Sequence, residues 1–299
     1  MTAESAHLAP HRFRILPAEQ WRERERAHRA RVDKLVGPYL RERADGRKHP
    51  VIDFLFTYYG HKPAQLRRWH PGFGVALADS DDYAQRRGYH RVDTPAGPVC
   101  TADPAFLDRR RDTVEFVAAL LAATAARPAQ LSCFGLHEWA MVYRSDDVRH
   151  RQVPLRLGRA GTDAVVDSMS LRCTHFDAFR FFTPEAAPRN IETLTRDDQI
   201  HREQPGCLHA GMDLYKWAFK LVPLIDSDLL LDCFALAIAA REIDMRASPY
   251  DLTAYGYRPI AIETPAGRAE YVRAQSDTAR RAAPLRARLL DRCRALLAA

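Results

Sequence analysis

Imidazole or carboxylate groups stand in pairs at four places far apart in this chain: His137 with Glu138, His175 with Asp177, His209 with Asp213, and the two carboxylates Glu242 and Asp244. Imidazole nitrogens and carboxylate oxygens are ligands for Fe, Mn or Zn, so a metal centre is one chemistry these residues suggest, provided three or four of them meet in the fold. The same groups also work without a metal. A carboxylate such as Glu138, Asp177 or Asp244, held among apolar neighbours or poised by Arg241 or Arg246, can activate water or stabilise a cationic transition state. Trp139, Tyr143, Phe176, Tyr215 and Trp217, with Arg246, would then hold a flat substrate. Each of these residues has a plainer role open to it: the aromatics as core, and Arg241, Glu242, Asp244 and Arg246 as an ion-pair network fixing a helix end.

Other chemistries have weaker signatures. HEWAM (137–141) lacks the second histidine of HExxH, and GxSxG, P-loop and strand-borne GxGxxG patterns are missing. Cys133, Cys173 and Cys207 each lie near a histidine, which leaves a thiolate mechanism open. The six cysteines are scattered without CxxC spacing and read as small, reduced core residues.

Stepping outward from these groups, residues 206–252 read as two apolar helices broken at Pro223, with His209 and Asp213 four apart on one face. Residues 17–44 read as a helix with interleaved Glu and Arg on a solvated face and Trp21, Val32, Leu35 and Val36 inward. A short apolar helix or strand at 51–59 follows, and then a loop, 61–70, in which Lys62, Arg67, Arg68 and Trp69 suggest contact with nucleic acid. Residues 76–104 look irregular, 105–126 helical, and 131–144 ambiguous between helix and strand. The β-branched and aromatic runs near residues 152–182 predict a small antiparallel sheet, placing Cys173, His175, Asp177 and Phe179 on one face. Terminal helices divided at Pro284 complete the chain. The expected fold class is α+β: residues 1–15 as a polar N-terminal tail, and residues 16–299 as one mainly helical domain.

The 299 residues carry a formal net charge of +7, which permits a nucleic-acid partner. Twelve Lys and Arg against seven Asp and Glu fall in residues 1–50, so most of the excess is local to that segment. The longest apolar stretch is cut by Asp226, Asp228 and Asp232, and the N-terminus lacks an apolar signal core, so a cytoplasmic protein with no membrane partner is expected.

The segments HPVIDFLFTYYGHKPAQLRRWHPG, GLHEWAMVYR, LRCTHFDAFRFFTPEAAPRN, QPGCLHAGMDLYKWAFKL and EIDMRASPYDL resemble those of an actinobacterial family catalogued as 3-methyladenine DNA glycosylases, over roughly residues 35–290. The resemblance implies a DNA-repair hydrolase that excises alkylated purine from DNA by flipping the base and hydrolysing its N-glycosidic bond, without a cofactor. The glycine-rich hairpin turn with its following Asp, and the basic HEAT-like repeats, of two well-known glycosylase superfamilies are missing. The resemblance assigns no catalytic residue, so Glu138, Asp177 and Asp244 stand as candidates on their chemistry alone. A metal-dependent oxidative or hydrolytic enzyme acting on a small molecule is the alternative, and a non-enzymatic nucleic-acid-binding protein the third reading.

Overall fold

The computed structural model describes residues 13–146 and 152–299. It is mainly helical with one small sheet. The strands are β1 (Arg14–Leu16), β2 (Val75–Ala78), β3 (Tyr89–Thr94) and β4 (Gly97–Ala102). The helices are α1 (Ala18–Ala44), α2 (Ile52–Thr57), α3 (Pro63–Leu66), α4 (Asp81–Ala84), α5 (Pro104–Asp108), α6 (Arg111–Ala125) and α7 (Leu136–Ala140). They continue with α8 (Gly158–Ser168), α9 (Phe176–Phe179), α10 (Gln199–Arg202), α11 (Leu208–Lys220), α12 (Ser227–Arg246) and α13 (Pro265–Leu297).

The centre is the α11–α12 hairpin. Almost every residue of α11 from Leu208 to Ala218 is buried, the mark of a helix enclosed on all sides. Pro223 lies in the turn after α11, and the Asp226 carboxylate then caps α12 by accepting the Leu229 N–H at 2.9 Å. α13 packs along both helices and onto α6. Gly211 of α11 makes room for this, since a Cβ there would meet Ala282 Cβ at 3.8 Å. Pro284 does not divide α13, whose buried stripe from Tyr271 to Leu296 runs past it against the hairpin. Tertiary packing holds the helix through the one hydrogen bond a proline removes.

The sheet order is β1-β2-β4-β3, with β1 parallel to β2 and the other pairs antiparallel. It therefore lies within residues 14–102 and is mixed, where the sequence pointed to an antiparallel sheet near residues 152–182. That segment carries two helices instead: α8 buries Thr162, Val165 and Val166 along one face, and α9 begins just after His175. Short β-branched runs fit either conformation, and here burial of a single helical stripe decides. Conversely, TPAG at 94–97 is a tight hairpin turn joining β3 and β4, inside a stretch that reads as irregular. β1 starts at Arg14, so the sheet takes in the end of the segment read as tail. None of the helices among the described residues is long and apolar enough to cross a membrane.

Candidate active site

Five segments converge at the end of the hairpin nearest α7. α11 presents His209, Asp213 and Lys216, one helical turn apart. The last turns of α12 present Arg241 and Asp244. α7 carries His137 and Glu138, and its position depends on Gly135, whose φ of 72° is left-handed and whose absent Cβ leaves room for Ala247 at 3.3 Å. His175 and Asp177 sit at the start of α9, and Glu203 just after α10.

The first cluster is a hydrogen-bonded chain. His137 Nε2 lies 2.7 Å from Asp244 Oδ1, and Arg241 Nη1 donates to both Asp244 Oδ2 and Glu138 Oε1 at 2.6 Å. Burial opposes the charged forms, but the partners prevail: Asp244 is held below the usual carboxylate range by His137 and Arg241, and His137 is raised well above 6.5 by Asp244. Cys133 Sγ stands 3.6 Å from His137 Nδ1. Burial pushes the Cys173 and Cys207 thiols up, which makes poor nucleophiles of both.

The second cluster differs in kind. His175 Nε2 lies 3.3 Å from Glu203 Oε1 and 3.4 Å from Asp213 Oδ2, off the line of a hydrogen bond to either, and His175 Nδ1 also lacks a partner. His175 is 1% exposed, so two imidazole nitrogens in the interior stand without hydrogen bonds among the described residues. Asp213 is otherwise well held: Tyr59 Oη donates to Oδ1 at 3.0 Å and Lys216 Nζ to Oδ2 at 2.9 Å. Lys216 also donates to Asp177 at 2.7 Å, and Gln199 donates to Glu203 at 2.6 Å. Despite burial, Lys216 and His175 keep Asp213 below the usual carboxylate range. Burial raises Glu203, and it opposes the Glu203 and Asp213 charges that raise His175.

His209 joins the two clusters. Its ring centroid is 4.6 Å from that of His137 and 5.3 Å from that of His175, so the three imidazoles form a row. Burial and the neighbouring His137 charge drive its pKa well below 6.5 and leave it neutral. Oxygen and nitrogen atoms of His137, His209 and Asp244 lie within 4.8 Å of one another, as do those of His175, Glu203 and Asp213. Across both clusters five buried carboxylates, Glu138, Asp177, Glu203, Asp213 and Asp244, face two largely buried cations, Lys216 and Arg241. Arg180 and Arg196 reach Asp177 from the surface. The pKa values of His137, His175 and Glu203 are raised, in the direction that relieves this excess of carboxylates.

A pocket of about 280 Å³ opens above the clusters, bordered by His209, Glu138, Asp177 and Arg241. Its apolar walls are Phe54, Tyr58, Met141 and Phe181, with Phe54 and Tyr58 stacked at 4.7 Å between centroids. The stacking surfaces are therefore not those expected. Trp139, Tyr143 and Tyr215 are core residues at 0%, 1% and 0% exposure, and the Trp139 indole donates to the Ala247 carbonyl. Trp217 packs at a tilt against Phe116, and Phe176 lies under the Arg196 guanidinium. Arg246 pairs with Glu270 and Glu242 outside the pocket. Of the eight possible metal ligands only Glu242 stays away. Residues two apart on a helix point about 200° apart, so with Asp244 inward Glu242 is turned outward. Asp244 is wholly buried behind His137 and positions that ring instead of bordering the pocket.

Glu203 and Lys216 had no sequence signal. Glu203 lies in a polar run, and Lys216 is a long side chain on an otherwise apolar helix whose ammonium turns inward. In the 61–70 loop, Trp69 is 3% exposed and packs with Tyr83 and Tyr89, so it is an anchor and not a base-stacking surface. Arg67 pairs with Asp33, while Lys62 and Arg68 remain exposed. Comparisons with family models, curated proteins and solved structures gave no match.

Proposed function

We propose that this protein is a metal-dependent enzyme in which His175, Glu203 and Asp213 hold a divalent first-row metal beneath the aromatic pocket. The observation that carries this reading is the spacing of His175 Nε2 from its two carboxylates, 3.3 and 3.4 Å without hydrogen-bond alignment. Donor atoms bound about 2.1 Å from one cation at angles of about 90–110° stand roughly 3.0–3.4 Å apart. The His137–Asp244 contact at 2.7 Å is by contrast an ordinary charge-assisted hydrogen bond. The donor set, one imidazole and two carboxylates, suits Zn, Mn or Fe.

Held there, such an ion would supply Lewis-acid chemistry to a substrate oxygen or a water, which fits hydrolysis of a small molecule. The protein's own groups supply the rest. His209, a neutral imidazole, faces the pocket and offers a hydrogen bond to the substrate. Arg241 and Lys216 hold the carboxylates in place, and Phe54, Tyr58 and Phe181 receive a flat ring. Elemental analysis of untagged protein tests this directly: about one transition-metal ion per chain is expected, lost in His175→Ala and Glu203→Gln. Metal-free protein that takes up neither Zn, Mn nor Fe(II) would overturn the reading.

A second reading, excision of an alkylated purine from DNA, is favoured by the stacked Phe54–Tyr58 pair beside two carboxyl groups, Glu138 and Asp177, which would stabilise a cationic sugar. It needs no metal. Release of free 3-methyladenine from alkylated DNA, abolished in Glu138→Gln or Asp177→Asn, is its test, and no release by the wild type removes it.

A further inference from the structure

On another face of the molecule lies a groove of about 740 Å³, between the loop leading into α3, the α4–β3 turn, the start of α6 and the end of α11. Five cations border it, Arg68, Arg86, Arg87, Arg110 and Lys220, and no carboxylate does. Ion pairs are dense elsewhere on this surface, yet Arg68, Arg87, Arg110 and Lys220 have none among the described residues; Arg87 and Arg110 lie over the Phe106 ring at 6.0 and 5.5 Å and Lys220 over that of Trp217 at 5.0 Å. Arg86 is the exception, bonded to Asp82 at 2.8 Å. Leaving four cations unpaired around one concavity is electrostatically unfavourable in the free protein, and it focuses positive potential into the groove.

The groove wall also contains two fixed polar side chains. His61 and His70 are 6% and 8% exposed. His61 Nδ1 is tied to the Tyr215 hydroxyl at 2.7 Å and His70 Nδ1 to the Tyr89 hydroxyl at 2.9 Å. Each ring is locked further by stacking, His61 on Phe219 at 4.6 Å and His70 on Tyr89 at 5.9 Å. With Nδ1 accepting from the tyrosine hydroxyl, Nε2–H is the donor left at the groove, and neither Nε2 has a hydrogen-bond partner among the described residues. Rigid neutral donors inside a ring of cations without carboxylate partners suit a phosphoryl group: directed hydrogen bonds for its oxygens and positive charge for its net negative charge.

We infer that this groove is a phosphate-binding site, separate from the histidine–carboxylate clusters, that takes the phosphoryl groups of a nucleotide-like molecule or of a nucleic-acid backbone. His61 and His70 donate to phosphate oxygens, Arg68, Arg87, Arg110 and Lys220 supply the charge, and the groove is large enough for more than the phosphate alone.

Calorimetric titration with pyrophosphate, and fluorescence titration with a labelled single-stranded oligonucleotide, test the inference on the full chain at low salt. Saturable binding of at least one probe is expected. The exposed pair Arg87→Ala/Arg110→Ala should weaken it roughly tenfold or more, whereas Arg281→Ala, on α13 outside the groove, should leave it unchanged. His61→Gln should weaken binding in protein whose melting temperature shows that it is folded. Pyrophosphate binding that the oligonucleotide does not match assigns a small phosphorylated ligand. Oligonucleotide binding that falls steeply with salt and resists pyrophosphate assigns the backbone of a nucleic acid. Glu203→Gln should bind either probe as the wild type does, so a failed metal assignment leaves this one standing. Binding of neither probe, or binding indifferent to Arg87 and Arg110, overturns it.

Discussion

Arg241 is the residue on which the first cluster depends. One guanidinium nitrogen serves both Glu138 and Asp244, and the side chain is 1% exposed. Removing one member of a buried ion network leaves the others uncompensated, at about 3–5 kcal/mol. Arg241→Ala should therefore lower unfolding free energy by about that much in a denaturant titration, and a loss below about 1 kcal/mol would contradict the network. Buried histidines on the groove side act through pH. Burial holds His61 at about 4 and His70 at about 3, against 6.5 for an imidazole in water. Below pH 6.5 the unfolded chain thus binds protons that the folded chain refuses, so the stability these residues contribute is present above 6.5 and declines as pH falls toward 3. His137 and His175, raised instead, contribute in the opposite sense, with stability present below 6.5 and lost as pH climbs through their folded values. Urea titrations between pH 7 and 4 should show an acid loss on the order of a few kcal/mol that a His61→Gln/His70→Gln variant lacks in part. A variant with the wild-type slope would show that these two rings do not carry it.

At the scale of elements, α7 is five residues long and yet carries His137, Glu138 and the wholly buried Trp139. Its placement rests on Gly135 and on the indole bond to Ala247, so Trp139→Ala should cost about 3–5 kcal/mol. Gly135→Ala should destabilise as well, because Ala is strained at a φ of 72° and its Cβ would crowd Ala247. Thermal melts read both changes, and a Gly135→Ala protein as stable as wild type would remove the strain. The hairpin of α11 and α12 was legible because its apolar runs are long and Pro223 separates them. His209 and Asp213 were legible because four-residue spacing puts them on one helical face. α8 and β3 were not, since a dozen residues of mixed β-branched and polar character fit helix or strand until a neighbouring surface chooses. Phe54 and Tyr58, also four apart, read only as an apolar run; their exposure to a pocket is set by α7 and α12, which lie far away in the sequence.

For the molecule as a whole, the four histidine and carboxylate pairs were expected to matter only if they met, and three of them do, with Glu203 joining from a segment that carried no signal. The fold encloses acid in excess of fixed cations and leaves one imidazole, His175, between two carboxylates without hydrogen bonds among the described residues. Protons or a divalent cation can each neutralise that excess, and they compete for the same atoms. Titration of metal-free protein with Zn or Mn by calorimetry, in two buffers of different ionisation enthalpy, measures both occupancy and proton release. One site per chain, with protons released on binding and the site lost in His175→Ala, is the expected result. No saturable site, or one that survives His175→Ala unchanged, would contradict the metal centre.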